Sequence, residues 1–383
     1  TTTAFADKSD AELKEKYRIF KMINSPLLTT LGTHAAQLGL RLNLPIKGLI
    51  KSTLYKVFCG GETIEECQPV VEKLWRSRIG AILDYSIEGK SEDAVFDSTK
   101  NEIYRTVTRA RQDEAVPFAV FKMTGLARYE LLEKISAGKE LFVQEQDEWK
   151  RARARVEELC SYSHSLGQAL FIDAEETWIQ DAIDALVTEM QAKYNREKPL
   201  IYNTLQMYRH DRLEYLKKSH ERAKAGGYFL AVKLVRGAYM EKERERAAEM
   251  NYPSPIQPDK ASTDRDYNLA LEYCVENVND IAFVNGTHNE ESVRLLARLM
   301  SERGLEKNHP HVSFSQLYGM SDNLSYVLAK HGYCVSKYLP YGPVKDLVPY
   351  LSRRAEENTA VKGQMSRELD LIARELKRRR ITG

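Results

Sequence analysis

Arg353, Arg354 and Glu357 fall together in the stretch YCVSKYLPYGPVKDLVPYLSRRAEEN, residues 333–358. On a helix, residues four apart share a face, so Arg353 and Glu357 align and Arg354 borders them. Two guanidiniums and a carboxylate on one short surface can grip a small molecule that carries both a carboxylate and an ammonium. A solvated ion-pair face has the same pattern. What separates the two is the chain just upstream. There a β-branched and aromatic run breaks at Pro340 and Gly342 and leads straight into the helix. A strand that delivers a charged helix over its own C-terminal end is a way to build a barrel active site.

That requirement turns attention to the elements. From residue 81 onward, short β-rich runs alternate with amphipathic helices. The strands read as 81–86, 118–123, 169–174, 200–206, 229–235, 281–287, 311–317 and 333–339. Helical segments between them include 91–113, 175–195, 209–225, 262–278 and 288–303. Such alternation implies right-handed crossovers and a parallel sheet, and eight repeats imply closure into a (β/α)8 barrel. The strand ends carry Asp84, Lys122, Asp173, Gln206, Lys233 with Arg236, Thr287 with His288, Gln316 and Tyr338. Each has a bland reading alone: a strand-end lysine snorkels, and His288 before Asn289 reads as a helix start. All eight ends being polar points to one functional rim.

No GxGxxG follows a strand and no GxxxxGK[ST] occurs, which removes support for the two common nucleotide-loop folds. No HExxH or paired-His spacing marks a metal, and no nucleophile elbow is present. With 383 residues, 43% hydrophobic and 29% charged, the chain is ordinary for a globular α/β protein. Its formal charge of +2 does not suggest nucleic acid as a partner. Five scattered cysteines, with no CxxC pair, suggest neither a disulfide framework nor a zinc knuckle, and fit a reducing compartment.

Residues 9–79 read as consecutive helices, with Cys59-Gly60-Gly61 ending one of them. The apolar 27–58 segment, punctuated by Arg41, Lys47, Lys51 and Lys56, suits either packing on a larger domain or an anionic membrane surface. Between Leu126 and Leu166 the chain is longer than a barrel unit needs, and the RARAR run at 151–155 reads as a solvated face.

Several strings resemble the FAD-dependent proline dehydrogenase family, in its monofunctional branch. They are FKMTGLAR (121–128), LFIDAEET (170–177), YNTLQMY (202–208), KLVRGAYMEKE (233–243), THNEESV (287–293), KYLPYGPV (337–344) and YLSRRAEEN (350–358). They run from about residue 117 to the C-terminus, and their order follows the strand ends. GAILDYSIEGK (80–90) is similar to the first barrel strand of monofunctional members.

The resemblance implies an α/β fold: a distorted (β/α)8 TIM-type barrel with an N-terminal helical extension and the last barrel helix over the mouth. The expected division is an arm at 1–79, a flavin-binding catalytic barrel at 80–361, and a C-terminal helix and tail at 362–383. The implied reaction oxidises L-proline to Δ1-pyrroline-5-carboxylate with FAD. By similarity, Asp173 and Lys233 are catalytic, Lys122 pairs with Asp173 beside the substrate, and Arg353 and Arg354 clamp the proline carboxylate. Tyr338 presses on the proline ring, and Glu357 faces the substrate or holds the arginines. The cofactor set implied is Ala174, Gln206, Arg236, Gly237, Ala238, Tyr239, Lys260, Thr263, Thr287 and His288, with no metal. The chain departs from bifunctional relatives at Lys233, where they have Arg, and at Met240, where they have Trp. Relatives acting on 4-hydroxyproline carry a smaller residue at the Tyr338 position, so this tyrosine favours proline.

Implied partners are a membrane quinone as electron acceptor, reached by peripheral contact through residues 27–58, and a separate pyrroline-5-carboxylate dehydrogenase for the next step. The implied location is cytoplasmic or peripheral on the inner face of the membrane, the mitochondrial inner membrane in a eukaryote. Two further classes stay in view. Lys122 and Lys233 also suit a Schiff-base aldolase, and a barrel scaffold with an interaction arm needs no chemistry at all.

Overall fold

The computed structural model describes residues 2–23, 47–87, 91–360 and 364–381, with the backbone alone for residues 23, 47, 49, 355–360 and 364–366. Eight strands form its centre: β1 (Gly80–Tyr85), β2 (Phe118–Lys122), β3 (Ala169–Asp173), β4 (Ile201–Gln206), β5 (Leu230–Val235), β6 (Ile281–Gly286), β7 (Val312–Leu317) and β8 (Val335–Tyr341). They close in chain order into one parallel barrel. Helices on the outside bury apolar residues at three- and four-residue spacing, as Val293, Leu296 and Met300 do in the helix Glu290–Glu302. Side-chain caps start several of them. Asp259 accepts from the Ser262 amide at 2.7 Å, and Asn289 accepts from the Ser292 amide at 3.0 Å.

Inside the barrel, alternate residues make one buried cluster that includes Ile82, Val120, Phe171, Tyr202 and Ala231. Phe118 stacks on Phe171 at 4.5 Å and Phe171 meets Tyr202 edge-on at 5.1 Å, so the lower barrel is plugged by aromatics. Several of the next inward positions towards the strand C-termini are charged. Lys122 registers with Asp173, and Thr204 registers with Lys233.

A second hydrophobic cluster lies outside the barrel. Phe5, Leu13 and Phe20 near the N-terminus, Tyr55 and Phe58, and Ile372 and Leu376 near the C-terminus pack with Val344, Leu347 and Leu351. The barrel helix Val344–Ala360 therefore spends its apolar stripe on the arm and the C-terminal helix Gln364–Arg378. One buried carboxylate pins this assembly. Asp322 receives Lys16 at 2.9 Å and Lys337 of β8 at 3.0 Å, and Glu368 accepts the Ser321 amide.

Three local expectations need correction. β8 does not stop before Pro340 but runs through it. Pro340 supplies only a carbonyl here, and that carbonyl takes the Gly60 amide at 2.8 Å. The helix Lys56–Phe58 does end at Cys59-Gly60-Gly61, and the two glycines serve close approach: a Cβ on Gly60 would meet Cys67 Sγ at 2.7 Å and one on Gly61 would meet Glu66 Cβ at 2.4 Å. These glycines allow the chain to press against β8, where Gly61 bridges to Tyr341. The RARAR run is not wholly solvated. Arg155 is buried and bonds Asp97 at 2.7 Å and Asp93 at 2.6 Å, because its face lies against the helix Asp93–Gln112. Finally, Lys233 sits within β5, two residues before its end, and points into the barrel.

All five cysteines are free thiols, with Cys334 the exposed one. Among the described residues no helix is long and apolar enough to cross a membrane. Of the basic residues in the 27–58 segment, Lys51 pairs with Glu62 at 2.8 Å and Lys56 with Glu15 at 2.7 Å. Residues 27–46 and the Lys47 side chain lie outside the described residues.

Candidate active site

Five side chains from four inward strand positions and the β1 end meet at the barrel mouth. Asp173 at the end of β3 is the hub. Its Oδ1 accepts from Lys233 Nζ at 2.5 Å and from the Tyr338 hydroxyl at 2.8 Å, while its Oδ2 faces Lys122 Nζ at 3.3 Å. Lys233 also donates to the Tyr338 oxygen at 2.8 Å, and Lys122 reaches Asp84 Oδ2 at 3.2 Å. The Tyr338 ring lies 4.4 Å from the Lys233 ammonium.

Burial pushes the Asp173 carboxyl up, but Lys233 and Lys122 outweigh it and hold it below its ordinary value. Burial pulls the Lys233 ammonium down, against the opposing pull of Asp173. Burial and the Asp173 charge push the Tyr338 phenol well up, so it stays a hydroxyl and a donor. Two buried carboxylates and two ammoniums thus form a balanced polar centre above an aromatic floor. Such a centre can orient a small zwitterion without a net charge penalty.

A second group gathers beyond β5 and β6. Arg236 Nε bonds Asp264 Oδ1 at 2.8 Å, its Nη1 bonds Thr287 Oγ1 at 2.5 Å and its Nη2 bonds Ser292 Oγ at 3.0 Å. The guanidinium also stacks on Tyr267 at 4.3 Å. Lys260 holds the same Asp264, one turn along its helix, and Thr263 Oγ1 donates to the Asp259 carbonyl at 3.3 Å. Gly237, at φ +137°, lies flat on the Tyr208 ring, where a Cβ would come within 2.5 Å. Gln206 Nε2 donates to the Glu175 carbonyl at 2.7 Å and so joins the β4 end to the Ala174-Glu175 segment after β3. His288 Nδ1 meets Ser321 Oγ at 2.9 Å, and burial with Lys337, Arg354 and Arg236 nearby pulls its imidazole down to about 3.

The helix Val344–Ala360 brings its arginines towards these groups. Arg353 lies 5.6 Å over the Tyr239 ring, and buried Arg354 lies 5.1 Å from Tyr350. The Glu357 side chain lies outside the described residues. Ala238 and Tyr239 follow Gly237 into the helix Met240–Glu249. Sequence reasoning assigned no task to Asp84, Asp264, Ser321 or Tyr208. Asp84 carried a signal as a polar strand end, and Asp264 as the residue four after Lys260 on one helix face.

The chain matches the proline dehydrogenase family over residues 67–367. It is 36% identical over 337 residues to the carbapenem antibiotics biosynthesis protein CarD of Pectobacterium carotovorum subsp. carotovorum, covering 88% of this chain and 87% of that protein. It is 32% identical to mitochondrial proline dehydrogenase 1 of Dictyostelium discoideum, covering 99% of this chain and 74% of the relative. The human mitochondrial proline dehydrogenase 1 is 42% identical over 246 residues, covering 63% of this chain and 41% of that protein. Among solved structures, proline utilization A from Bdellovibrio bacteriovorus superposes with a TM-score of 0.73 at 22% identity, over 94% of this chain and 38% of that one. That likeness concerns the barrel fold alone. With the family match spanning the barrel and the last barrel helix, this chain belongs to the proline dehydrogenase family.

Proposed function

We propose that this protein oxidises L-proline to Δ1-pyrroline-5-carboxylate, the first step of proline catabolism, with FAD as its cofactor. The observation that carries the reading is the family match over residues 67–367, whose span includes the whole ionic centre at the barrel mouth. Proline is a compact ring with one carboxylate and one ammonium, which the paired charges and aromatic wall at that mouth suit.

The residues beyond β5 fit a dinucleotide. Arg236 and Lys260 offer cations, Thr263 and Thr287 offer hydroxyls, and Gly237 removes a side chain where the backbone passes closest. Ala174 and Gln206 would hold the flavin end, with Ala238, Tyr239 and His288 completing the set. When bound, FAD supplies the two-electron acceptor for the C–N oxidation.

Every other task falls to the chain itself. Arg353, Arg354 and Lys122 bind the proline carboxylate, and bidentate contact would fix its angle as well as its position. Tyr338 forms the wall against the ring. Asp173 holds Lys233 and Tyr338 in register and favours the cationic nitrogen that develops as the amine is oxidised. Glu357 completes the arginine group. The helix carrying them excludes water from the mouth.

Electrons then pass to a quinone at a membrane surface, and a separate pyrroline-5-carboxylate dehydrogenase takes the product. The location that goes with this is cytoplasmic or peripheral on the inner face of the membrane, the mitochondrial inner membrane in a eukaryote, and relatives named mitochondrial support a mitochondrial setting for a eukaryotic source. The Schiff-base alternative is less well supported, because both lysines are tied to carboxylates rather than presented as free amines. The deciding experiment is the visible spectrum of the purified protein together with proline-dependent dye reduction. A colourless protein that reduces no dye with added FAD and proline would sink the reading, and borohydride trapping with a carbonyl compound would revive the aldolase.

A further inference from the structure

Residues 368, 372 and 376 share one face of the helix Gln364–Arg378. Ile372 and Leu376 turn that face to the second hydrophobic cluster, yet the first of the three is a carboxylate. Glu368 is 4% exposed, and its Oε1 accepts the Ser321 amide. Its Oε2 is buried with no hydrogen-bond partner among the described residues. The charges that face it are Lys16, Asp322 and Lys337.

Ser321 in turn touches the group beyond β6. It precedes the helix Asp322–Lys330 but does not cap it. Serine is favoured at such a position because its hydroxyl can take a first-turn amide. Here the hydroxyl meets His288 Nδ1 at 2.9 Å instead. The Leu317 amide, at the start of the same turn, approaches His288 Nε2 at 3.5 Å. An N–H aimed at Nε2 makes that nitrogen an acceptor, so the ring proton sits on Nδ1 and donates to the Ser321 oxygen. Burial and the nearby cations keep the imidazole neutral, as this arrangement requires. Residues 317 and 321 together set the plane of the ring.

We propose that Glu368 is a positioning residue for the flavin site: from the C-terminal helix it fixes Ser321, and through Ser321 the His288 ring beside the Thr287–Arg236 pair. The proposal rests on the FAD reading above.

The turn needs such a hold. Ser321 at φ +52° and Gly319 at φ +83° are both left-handed, a conformation that a residue with a Cβ adopts only at a cost. Lys337 binds the Met320 carbonyl, and Lys16 and Lys337 both hold Asp322, so the neighbours of Ser321 are anchored through other atoms. Ser321 itself is gripped at its amide by Glu368. An amide released from that carboxylate lets residue 321 move towards the right-handed region, and its hydroxyl leaves Nδ1 with it. The family match ends at residue 367, one position before this contact.

The test uses the full chain with Glu368→Ala, Glu368→Gln, Ser321→Ala and the pair Glu368→Ala with Ser321→Ala. Titration followed by flavin fluorescence gives the Kd for FAD. Diethylpyrocarbonate labelling of the flavin-free protein, located by peptide mass spectrometry, reports on the His288 ring, with His309 just before β7 as the internal control. Stranding a buried amide predicts that Glu368→Ala raises the Kd about tenfold. Glu368→Gln keeps an acceptor and should stay within about threefold of wild type. In the Ser321→Ala background, Glu368→Ala should add less than about twofold, because both act through one ring. His288 should label about threefold faster or more in Glu368→Ala while His309 keeps its rate. A Kd unmoved by Glu368→Ala, a Gln variant as weak as Ala, an equal loss in both backgrounds, or a like acceleration of both histidines overturns the proposal. If Glu368→Ala does not fold, the wild-type protein decides. Binding that needs the helix docked must in turn hold it there, so FAD should slow amide hydrogen exchange over residues 364–378 about threefold or more. Unchanged exchange overturns the proposal equally. A protein that binds no FAD, yet whose His288 alone is unmasked by Glu368→Ala, would remove the flavin reading and leave the Glu368–His288 link standing.

Discussion

The Tyr338 hydroxyl donates to Asp173 at 2.8 Å and accepts from Lys233 at the same distance, so one phenol joins β8 to both β3 and β5. Its oxygen is satisfied in both directions, which fixes the ring plane against the mouth. Tyr338→Phe keeps the ring and removes this tie. It should lower kcat/KM for proline about tenfold, as expected for a hydrogen bond to a charged group. Tyr338→Ala should cost more, because the wall goes as well. Equal activity of Phe and Tyr enzymes in a dye-linked assay would mean the hydroxyl has no part in orientation.

Asp173 is the partner both lysines share. Replacing it by Ala should lower kcat/KM for proline and also reduce folding stability. Stranding a buried ammonium costs about 3–5 kcal/mol in comparable cases. Asp173→Ala with Lys233→Met should recover part of the stability, measured by urea unfolding, without recovering turnover. If the double variant regains neither stability nor soluble expression, the pair's charge balance is not what the residue supplies.

Arg354→Ala tests the carboxylate clamp. Arg354 is buried beside Tyr350. Its loss should raise KM for proline by about a hundredfold while the flavin absorbance per polypeptide stays constant, since a bidentate charged contact is worth a few kcal/mol. Loss of flavin together with KM would assign Arg354 to the cofactor instead.

Gly237 has φ +137° and the Tyr208 ring against its α-carbon. Gly237→Ala forces a backbone conformation that other residues rarely adopt and adds a carbon where the ring already sits, a strain of about 1–3 kcal/mol. The expected outcome is a protein that folds but binds FAD more weakly, read as flavin released on gel filtration. The double variant Gly237→Ala with Tyr208→Ala should recover part of the retention. Full flavin retention in Gly237→Ala would show that the loop tolerates the change.

His288 sets a pH dependence of stability. Burial and three nearby cations pull its imidazole down to about 3. The unfolded chain, with its histidine near the ordinary value of about 6.5, binds a proton that the folded chain refuses. Stability contributed at neutral pH is therefore lost as pH falls from about 6.5 towards 3, at up to about 1.4 kcal/mol per pH unit for one proton. His288→Gln should flatten the urea midpoint over that window relative to wild type. Parallel curves would place the acid-labile group elsewhere.

The barrel was legible because its strands are short apolar runs closed by breakers. FAVFKM reads as a strand at 118–123 and is one at 118–122. β8 runs past the end that its proline suggests, because the Pro340 carbonyl still has a partner in the Gly60 amide. Polar residues at strand ends announced a shared rim, and Asp84, Lys122, Asp173, Lys233 and Tyr338 do converge there. What periodicity could not reveal was which rim residues touch. The Arg236–Asp264 pair spans a loop and a helix start, and the burial of Arg155 depends on a neighbouring helix whose Asp93 and Asp97 lie far away in sequence.

The two ends of the described chain are stitched together. Arg379 donates to the Phe5 carbonyl at 2.7 Å, to the Lys8 carbonyl at 2.7 Å and to Asp10 at 3.0 Å. During synthesis, then, the first helix emerges from the ribosome long before its partner exists. Phe5, Leu13 and Phe20 cannot complete their packing until Ile372 and Leu376 have been made. Contacts of such sequence separation form slowly. Full docking of the N-terminal arm therefore waits for residues 372–379, and a nascent chain halted before residue 379 would carry that arm incompletely packed.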